Sequence, residues 1–166
     1  MIALVRVDNR LVHGQVLVTW VPALGVEAIL VADDEAAASP LARAALTLAL
    51  PPGLRATLEP LGAVDWPRRA ASPERTLVVV REVADLERAA AGGLPPGRAT
   101  LNLGNVHYAR ERRQISPSVF LSAAELAALE RLAAAGFRVE ARALPADAPL
   151  GLDEIRRRFA AAPEAR

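Results

Sequence analysis

Short apolar runs alternate along the chain with segments long enough to form helices. Runs of four to eight apolar residues bounded by turn residues are typical of buried strands. Strands alternating with helices predict an α/β fold, because each helix carries the chain back to begin the next parallel strand. We predict a single domain with a mostly parallel, open β-sheet and helices on both faces. The predicted strands span residues 2–7, 28–32, 55–59, 76–81, 99–103 and 138–143.

Residue types that begin and end helices mark the segments between these strands. Ser39 followed by Pro40 favours a helix start, and Ser122 with Glu125 forms a capping-box pattern. Trp20 is expected to anchor the first helix in the core. The first predicted helix begins near residue 14. The next three span residues 40–50, 83–91 and about 122–135, and a terminal helix follows residue 151.

The length of the chain favours one compact domain. We assign residues 1–166 to it, because 166 residues suffice to bury a sizeable core and neither a repeat nor a long linker divides the chain. The alanine- and arginine-rich end beyond Pro163 is expected to fray.

Composition excludes several classes of function. The formal net charge of +1 provides no strong field to recruit nucleic acid or an anionic membrane. With no cysteine and two histidines, the chain has no thiolate nucleophile and cannot form a metal site from histidine alone. The apolar run before Arg6 is too short for a signal peptide, and no stretch approaches the roughly 20 apolar residues of a membrane span. We therefore expect a cytoplasmic protein.

His13 is the candidate for chemistry, because it lies where the first predicted strand gives way to a helix. Imidazole has an unperturbed pKa of about 6.5, so a neutral nucleophile and a protonated form are both accessible at cellular pH. A covalent intermediate on a ring nitrogen is therefore reasonable. The guanidinium of Arg10 can hold a transferred anion in a bidentate fork. These two residues indicate a phosphoryl carrier in which His13 accepts and passes on the group.

The loop that carries His13 is well placed to meet an anion. Ligands of open α/β sheets collect at the carboxyl ends of strands, where loops lead into helices. A helix beginning near Gly14 directs free backbone amides and its positive dipole end at this loop, and the glycine allows close approach. We predict a structural role for Asp8, which can fix the orientation of the ring by accepting a hydrogen bond from the imidazole or from Arg10. Asn9 and Gln15 are predicted to support phosphate binding.

Two further polar groups follow predicted strands and are candidates for the rim of the site. Asp33, Asp34 and Glu35 follow the second strand. Consecutive carboxylates form a solvated turn or a helix cap more often than a magnesium site, so we favour the former and place Asp33 and Asp34 at the rim. Gly104 and Asn105 indicate a tight turn, with a phosphate or partner contact as the alternative.

The segment from Arg6 to Trp20, RVDNRLVHGQVLVTW, resembles the active-site signature of IIB components of the mannose/fructose/sorbose-type bacterial sugar phosphotransferase system. A second segment, NLGNVHY at residues 102–108 followed by RQIS at 113–116, resembles most closely the N-acetylgalactosamine-type members. Together with the strand and helix spacing between them, the two segments extend the resemblance over roughly residues 1–145.

The resemblance implies a route for the phosphoryl group. A IIA component would donate it to His13, and a sugar held by the IIC and IID membrane components would receive it, with Arg10 steadying the phosphoryl oxygens in both transfers. The intermediate would be a covalent phosphohistidine, at Nδ1 in the family, with no cofactor and no metal. Because two partners must reach one imidazole, the surface around it is expected to be open and fairly flat.

The resemblance also bears on other residues and on assembly. His107 is assigned to packing or partner contact, because the family pattern places the carrier at His13. Asn9 stands where the family often has Asp, and the loss of one carboxylate there should ease repulsion with a phosphate. Family members are often dimers, so a homodimer is one expected assembly, and no nucleic-acid partner is expected.

Two other functions stay open at this point. One is a regulatory phosphohistidine carrier that reports nutrient supply without transporting sugar. The other is a binding module that holds a phosphorylated small molecule at residues 8–14 without covalent chemistry. A nucleotide enzyme is disfavoured, because the sequence has neither a P-loop nor a dinucleotide-binding glycine motif. The sequence does not identify the sugar.

Overall fold

A seven-stranded sheet lies at the centre of the computed structural model, which describes residues 1–163. The strands in chain order are β1 (Ile2–Asp8), β2 (Ala28–Ala32), β3 (Arg55–Glu59), β4 (Thr76–Val80), β5 (Thr100–Asn105), β6 (Arg113–Ser116), β7 (Val119–Leu121), β8 (Arg138–Ala141) and β9 (Leu150–Gly151). The sheet runs β3-β2-β4-β1-β5-β8-β9 and is parallel except where β9 pairs with β8. Strands β6 and β7 form a separate antiparallel pair. The predicted mostly parallel α/β fold is confirmed.

The helices connect the strands and follow the predicted start signals. Ser39 accepts a hydrogen bond from the amide of Ala42, and Ser122 with Glu125 forms the predicted capping box. The helices are α1 (a π-helical segment, Val16–Trp20, followed by Val21–Leu24), α2 (Asp34–Ala38), α3 (Pro40–Ala49), α4 (Trp66–Ala71), α5 (Val83–Ala91), α6 (Ala123–Ala134) and α7 (Leu152–Ala161), with a short 3-10 turn at Leu61–Ala63.

Apolar cores cover both faces of the sheet. Successive side chains of a strand point to opposite faces, and β1 shows this clearly. Val5 and Val7 join a core with α5, α6 and α7, whereas Leu4 joins a second core with α1 and α2. Trp20 is fully buried in this second core, as predicted. Asp8 lies on the same face of β1 as Leu4, so its side chain points toward α1.

The elements that the sequence pattern did not predict are short. They are α2, α4, the 3-10 turn, the β6–β7 hairpin and β9, and their two to six residues carry too little periodicity to be distinguished from loops. The predicted fraying beyond Pro163 lies outside the described residues. No helix within residues 1–163 is long and apolar enough to cross a membrane.

Candidate active site

The loop between β1 and α1 turns sharply at its start. The carbonyl of Asp8 accepts a hydrogen bond from the amide of Leu11 at 2.8 Å, and its Oδ1 accepts one from the amide of Arg10 at 3.1 Å. Such a side-chain turn is a common use of aspartate. Leu11 has a φ of 55°, in the left-handed region that costs a non-glycine residue about 1 kcal/mol or more. The turn brings the chain back over the end of β1.

This turn places the imidazole of His13 against the carboxylate of Asp8. Its Nε2 lies 3.1 Å from Oδ2 of Asp8, which is fully buried, while the His13 side chain is 12% exposed. An ionised carboxylate only accepts hydrogen bonds, so the Nε2 of a neutral imidazole must carry the proton. The other nitrogen, Nδ1, is buried and has no hydrogen-bond partner among residues 1–163. The lone pair that can act as a nucleophile therefore lies on Nδ1.

The Asp8 carboxylate is held by a buried ion pair that the sequence analysis missed. Nε and Nη2 of Arg6 donate to its Oδ2 at 3.2 and 3.0 Å, and Asn105 Nδ2 approaches Oδ1 at 3.4 Å. Burial lowers the pKa of Arg6 and the Asp8 charge opposes that shift. The sequence did carry a signal, namely a charged residue within the apolar run of the first strand. Charged residues are rarely buried unless they are paired, and Arg6 is 1% exposed.

Arg10 lies on the surface of the same loop, three residues before His13. It is exposed, and its guanidinium makes no hydrogen bond or ion pair with any residue in the range 1–163. It borders an apolar groove that Leu11 and Val12 form with Leu46 of α3. Of the residues predicted to contact phosphate, Arg10 is the cation that is free to bind an anion near His13.

Asn9 has a different environment from the one predicted. Its Nδ2 donates to the carbonyl of Arg81 at 2.8 Å, and its Oδ1 accepts from the amide of His107. Because β1 lies between β4 and β5, a side chain at this position reaches the loops that follow both strands. The Asn9 side chain therefore links the loops that follow β1, β4 and β5 by hydrogen bonds, and its polar atoms are not free to bind a phosphate.

Gly14 and Gln15 follow the histidine directly and are exposed. The carbonyl of His13 accepts from the amide of Leu17 at 3.1 Å, so the helical segment begins here, as predicted. No other atom lies within 4 Å of the position that a Cβ on Gly14 would occupy, so packing does not require a glycine there.

The acidic cluster after β2 caps a helix. Asp33 accepts from the amide of Ala36 at 2.7 Å and from Nε and Nη2 of Arg81 at 2.7 and 2.8 Å. Asp34 pairs with Arg88 of α5 at 2.6 Å. Within residues 1–163 no three acidic or histidine side chains are grouped to hold a metal ion. Asp33 is linked to the His13 loop through Arg81, whose carbonyl binds Asn9.

Gly104 and Asn105 do not form the predicted tight turn. Both lie in β5, beside the end of β1. A Cβ on Gly104 would lie 1.9 Å from Cζ of Arg6, so the glycine leaves the space that the guanidinium occupies. The turn interpretation was wrong because the glycine makes room for the Arg6 side chain of the neighbouring strand, and local sequence does not show which strands are neighbours.

We expect Asp33→Asn to destabilise the protein by about 1–2 kcal/mol at pH 7, since asparagine keeps the helix cap but loses the charged hydrogen bonds. Arg81 lowers the pKa of Asp33 in the folded protein. A carboxyl of lowered pKa stabilises the fold above its unfolded pKa of about 4, and this contribution is lost as the pH falls through the folded value. The free energies of unfolding of the parent and of Asp33→Asn, measured in urea between pH 2 and 7, should therefore converge below about pH 4.

Asp65→Asn is the matched control, because Asp65 also caps a helix, by accepting from the amide of Arg68 at 3.0 Å, but forms no ion pair with another residue of the range 1–163. Its stability should stay within about 0.5 kcal/mol of the parent at every pH. A difference between parent and Asp33→Asn that persists unchanged at low pH would contradict the role of the ion pair.

Fold and site together define a class: an α/β protein that presents a histidine and an exposed arginine at the carboxyl edge of a parallel sheet. The sequence model of one protein family, described as the PTS system sorbose subfamily IIB component, matches residues 2–163. The chain belongs to this family, and relatives that it matches are named as IIB or EIIAB components of phosphotransferase systems specific for N-acetylgalactosamine, mannose, fructose or sorbose.

Individual relatives agree with this assignment. The Escherichia coli K12 N-acetylgalactosamine-specific phosphotransferase enzyme IIB component 2 is 36% identical over 155 residues, which cover 93% of this chain and 98% of that protein. The E. coli mannose-specific EIIAB component is 28% identical over 158 residues, or 93% of this chain and 48% of its own length. The crystal structure of the IIB domain of the Klebsiella pneumoniae sorbose permease superposes with a TM-score of 0.82 at 26% identity, covering 94% of this chain and 96% of that domain.

Proposed function

We propose that the protein is a cytoplasmic phosphoryl carrier in which Nδ1 of His13 receives a phosphoryl group from a IIA component and passes it to a sugar held by IIC and IID membrane components. The observation that carries this proposal is the contact between Nε2 and Asp8, which leaves the Nδ1 lone pair free. The names of the relatives support the assignment to a phosphotransferase system. The name of the mannose-specific relative, EIIAB, combines a IIA part with a IIB part.

The two transfers balance without a cofactor. In the first, Nδ1 of His13 forms a bond to phosphorus as the bond from phosphorus to the donor's histidine nitrogen breaks. Nε2 keeps its proton, and the buried Asp8 carboxylate offsets the positive charge on the substituted ring. In the second, a sugar hydroxyl forms the new bond to phosphorus, the N–P bond breaks, and the hydroxyl proton leaves to a base outside this chain. Such reactions depend mainly on positioning and charge stabilisation.

The site must open for this chemistry. The imidazole is 12% exposed and Nδ1 is buried, which differs from the open surface that the sequence predicts. A movement of residues 9–13 that keeps the contact between Nε2 and Asp8 must therefore accompany docking of the donor. The exposed guanidinium of Arg10 makes no hydrogen bond with residues 1–163, so it is available to bind the phosphoryl oxygens once they arrive.

We expect Arg10→Gln to slow phosphoryl uptake about a hundredfold, because the variant lacks the cation that stabilises the charge of the phosphoryl group in flight. Its thermal stability should remain within about 0.5 kcal/mol of the parent, since the exposed guanidinium makes no intramolecular bond in the described structure. Rapid-quench measurement with a phosphorylated IIA component provides the rate.

Arg98→Gln is the control for the loss of one positive charge. Arg98 is exposed and precedes β5, at the opposite edge of the sheet from the residues that meet Asp8. Its uptake rate should match that of the parent. Equal rates for Arg10→Gln and Arg98→Gln would remove Arg10 from the proposed site.

Delivery to a sugar is tested with membrane vesicles that contain cognate IIC and IID components. N-acetylgalactosamine is the first sugar to test, because the relative at 36% identity is named for it, with mannose, fructose and sorbose as comparisons. Formation of a sugar phosphate supports transport. A phosphorylated protein that donates to none of these sugars would favour the regulatory carrier.

A further inference from the structure

The buried guanidinium of Arg6 occupies a space built for it. It lies against Gly104, where a Cβ would stand 1.9 Å from Cζ. It also lies over the ring of Trp20, with Cζ 5.0 Å from the ring centroid. Burying a cation is costly unless it is paired and hydrogen-bonded, so this arrangement needs a compensating partner.

That partner is the oxygen that also contacts the histidine. Nε and Nη2 of Arg6 both donate to Oδ2 of Asp8, and His13 Nε2 lies 3.1 Å from the same atom. Nη1 of Arg6 donates to Oδ1 of Asn102 at 2.9 Å and to the carbonyl of Arg142 at 3.3 Å. The guanidinium is therefore fixed on both sides, and it fixes Oδ2 in turn.

We propose that Arg6 is a positioning residue: by holding Asp8 as an ionised acceptor aimed at Nε2, it selects the imidazole tautomer that presents the Nδ1 lone pair for phosphorylation. This inference rests on the proposed carrier function, but the tautomer itself does not require a phosphoryl donor to be measured. An orienting partner of this kind fixes both the tautomer and the direction of an imidazole.

Nitrogen-15 NMR of His13 tests the proposal directly. In the parent at a pH where the ring is neutral, Nε2 should give the signal of a protonated nitrogen and Nδ1 that of an unprotonated one. Arg6→Gln should give a mixture of both tautomers, and phosphorus NMR of the phosphorylated variant should show phosphoryl groups on Nε2 as well as Nδ1. Uptake should slow about tenfold or more through kcat, with KM for the donor protein unchanged, because Arg6 is buried.

Arg142→Gln is the matched control. Its guanidinium also lies over the Trp20 ring, at 5.1 Å, but pairs with Glu140 instead of Asp8. It should lose stability yet keep the parent's tautomer. Arg6→Lys should keep most of the parent's tautomer as well, because its positive charge still favours the ionised form of Asp8.

Three results would overturn the role of Arg6: an Nδ1-protonated ring in the parent, an unchanged tautomer in folded Arg6→Gln, or the same mixture in Arg142→Gln. The parent spectrum tests the proposal even where Arg6→Gln does not fold, because an Nδ1-protonated ring in the parent would contradict it. A tautomer that responds as expected in a protein that takes up no phosphoryl group would contradict the carrier function and leave the role of Arg6 standing.

Discussion

Replacing His13 with glutamine is expected to abolish phosphoryl uptake while the protein remains folded. The side-chain amide of glutamine can still donate a hydrogen bond toward the buried Asp8 carboxylate, but its nitrogen lone pair is delocalised and does not attack phosphorus. Incubation with radiolabelled phosphoenolpyruvate, the general phosphotransferase proteins and a cognate IIA component should label the parent and leave His13→Gln at background. Circular dichroism and urea unfolding confirm the fold of the variant.

His107→Gln is the internal control, because the chain has two histidines. His107 is exposed, and its backbone amide and carbonyl provide its contacts with Asn9 and Arg112. A side-chain change there should leave the uptake of label unaffected. Label on His13→Gln, or its loss from His107→Gln, would place the carrier elsewhere than we propose.

Gly104→Ala is expected to destabilise the protein by about 3 kcal/mol or more. The added methyl group would lie 1.9 Å from Cζ of Arg6, so the guanidinium, which also lies over the Trp20 ring at 5.0 Å, would have to move. Displacing Arg6 would leave the Asp8 carboxylate buried without its counter-charge, which typically costs about 3–5 kcal/mol. Urea unfolding measures the loss, and at temperatures where the variant is still folded its phosphoryl uptake should be impaired as well.

Gly62→Ala is the control for replacing a glycine. No neighbouring atom lies within 4 Å of its added Cβ position, and its φ is not in the left-handed region. Its free energy of unfolding should change by less than about 1 kcal/mol. Equal stabilities of Gly104→Ala and the parent would show that Arg6 does not need this space.

The sequence pattern predicted the strands of the parallel sheet and the longer helices, because each buried strand is a nearly continuous apolar run and several helices carry their own caps. β1 and β5 extend past the predicted ends, to Asp8 and Asn105, because polar residues at strand ends interrupt the apolar run. The β6–β7 pair was missed for a similar reason: it is short and begins within the charged run at residues 110–113.

The site was predicted in part. His13 and Arg10 follow from residue chemistry at the end of a strand, and Asp8 is close enough in sequence to be identified as the orienting group. Arg6 was not found, although Asp8 lies two residues along the same strand, because its burial against Asn102 and Gly104 depends on the pairing of β1 with β5. The same strand pairing explains why Gly104 faces a guanidinium instead of forming a turn.

The most direct test of the carrier function is the mass of the intact protein after incubation with phosphoenolpyruvate, the general phosphotransferase proteins and a cognate IIA component, followed by fragmentation to locate the adduct. We predict one acid-labile phosphoryl group, on His13, with none on His107. An unmodified chain in the presence of active partners, or an adduct that maps to another residue, would contradict the account. An unmodified chain would instead favour a module that binds a phosphorylated ligand at residues 8–14 without covalent chemistry.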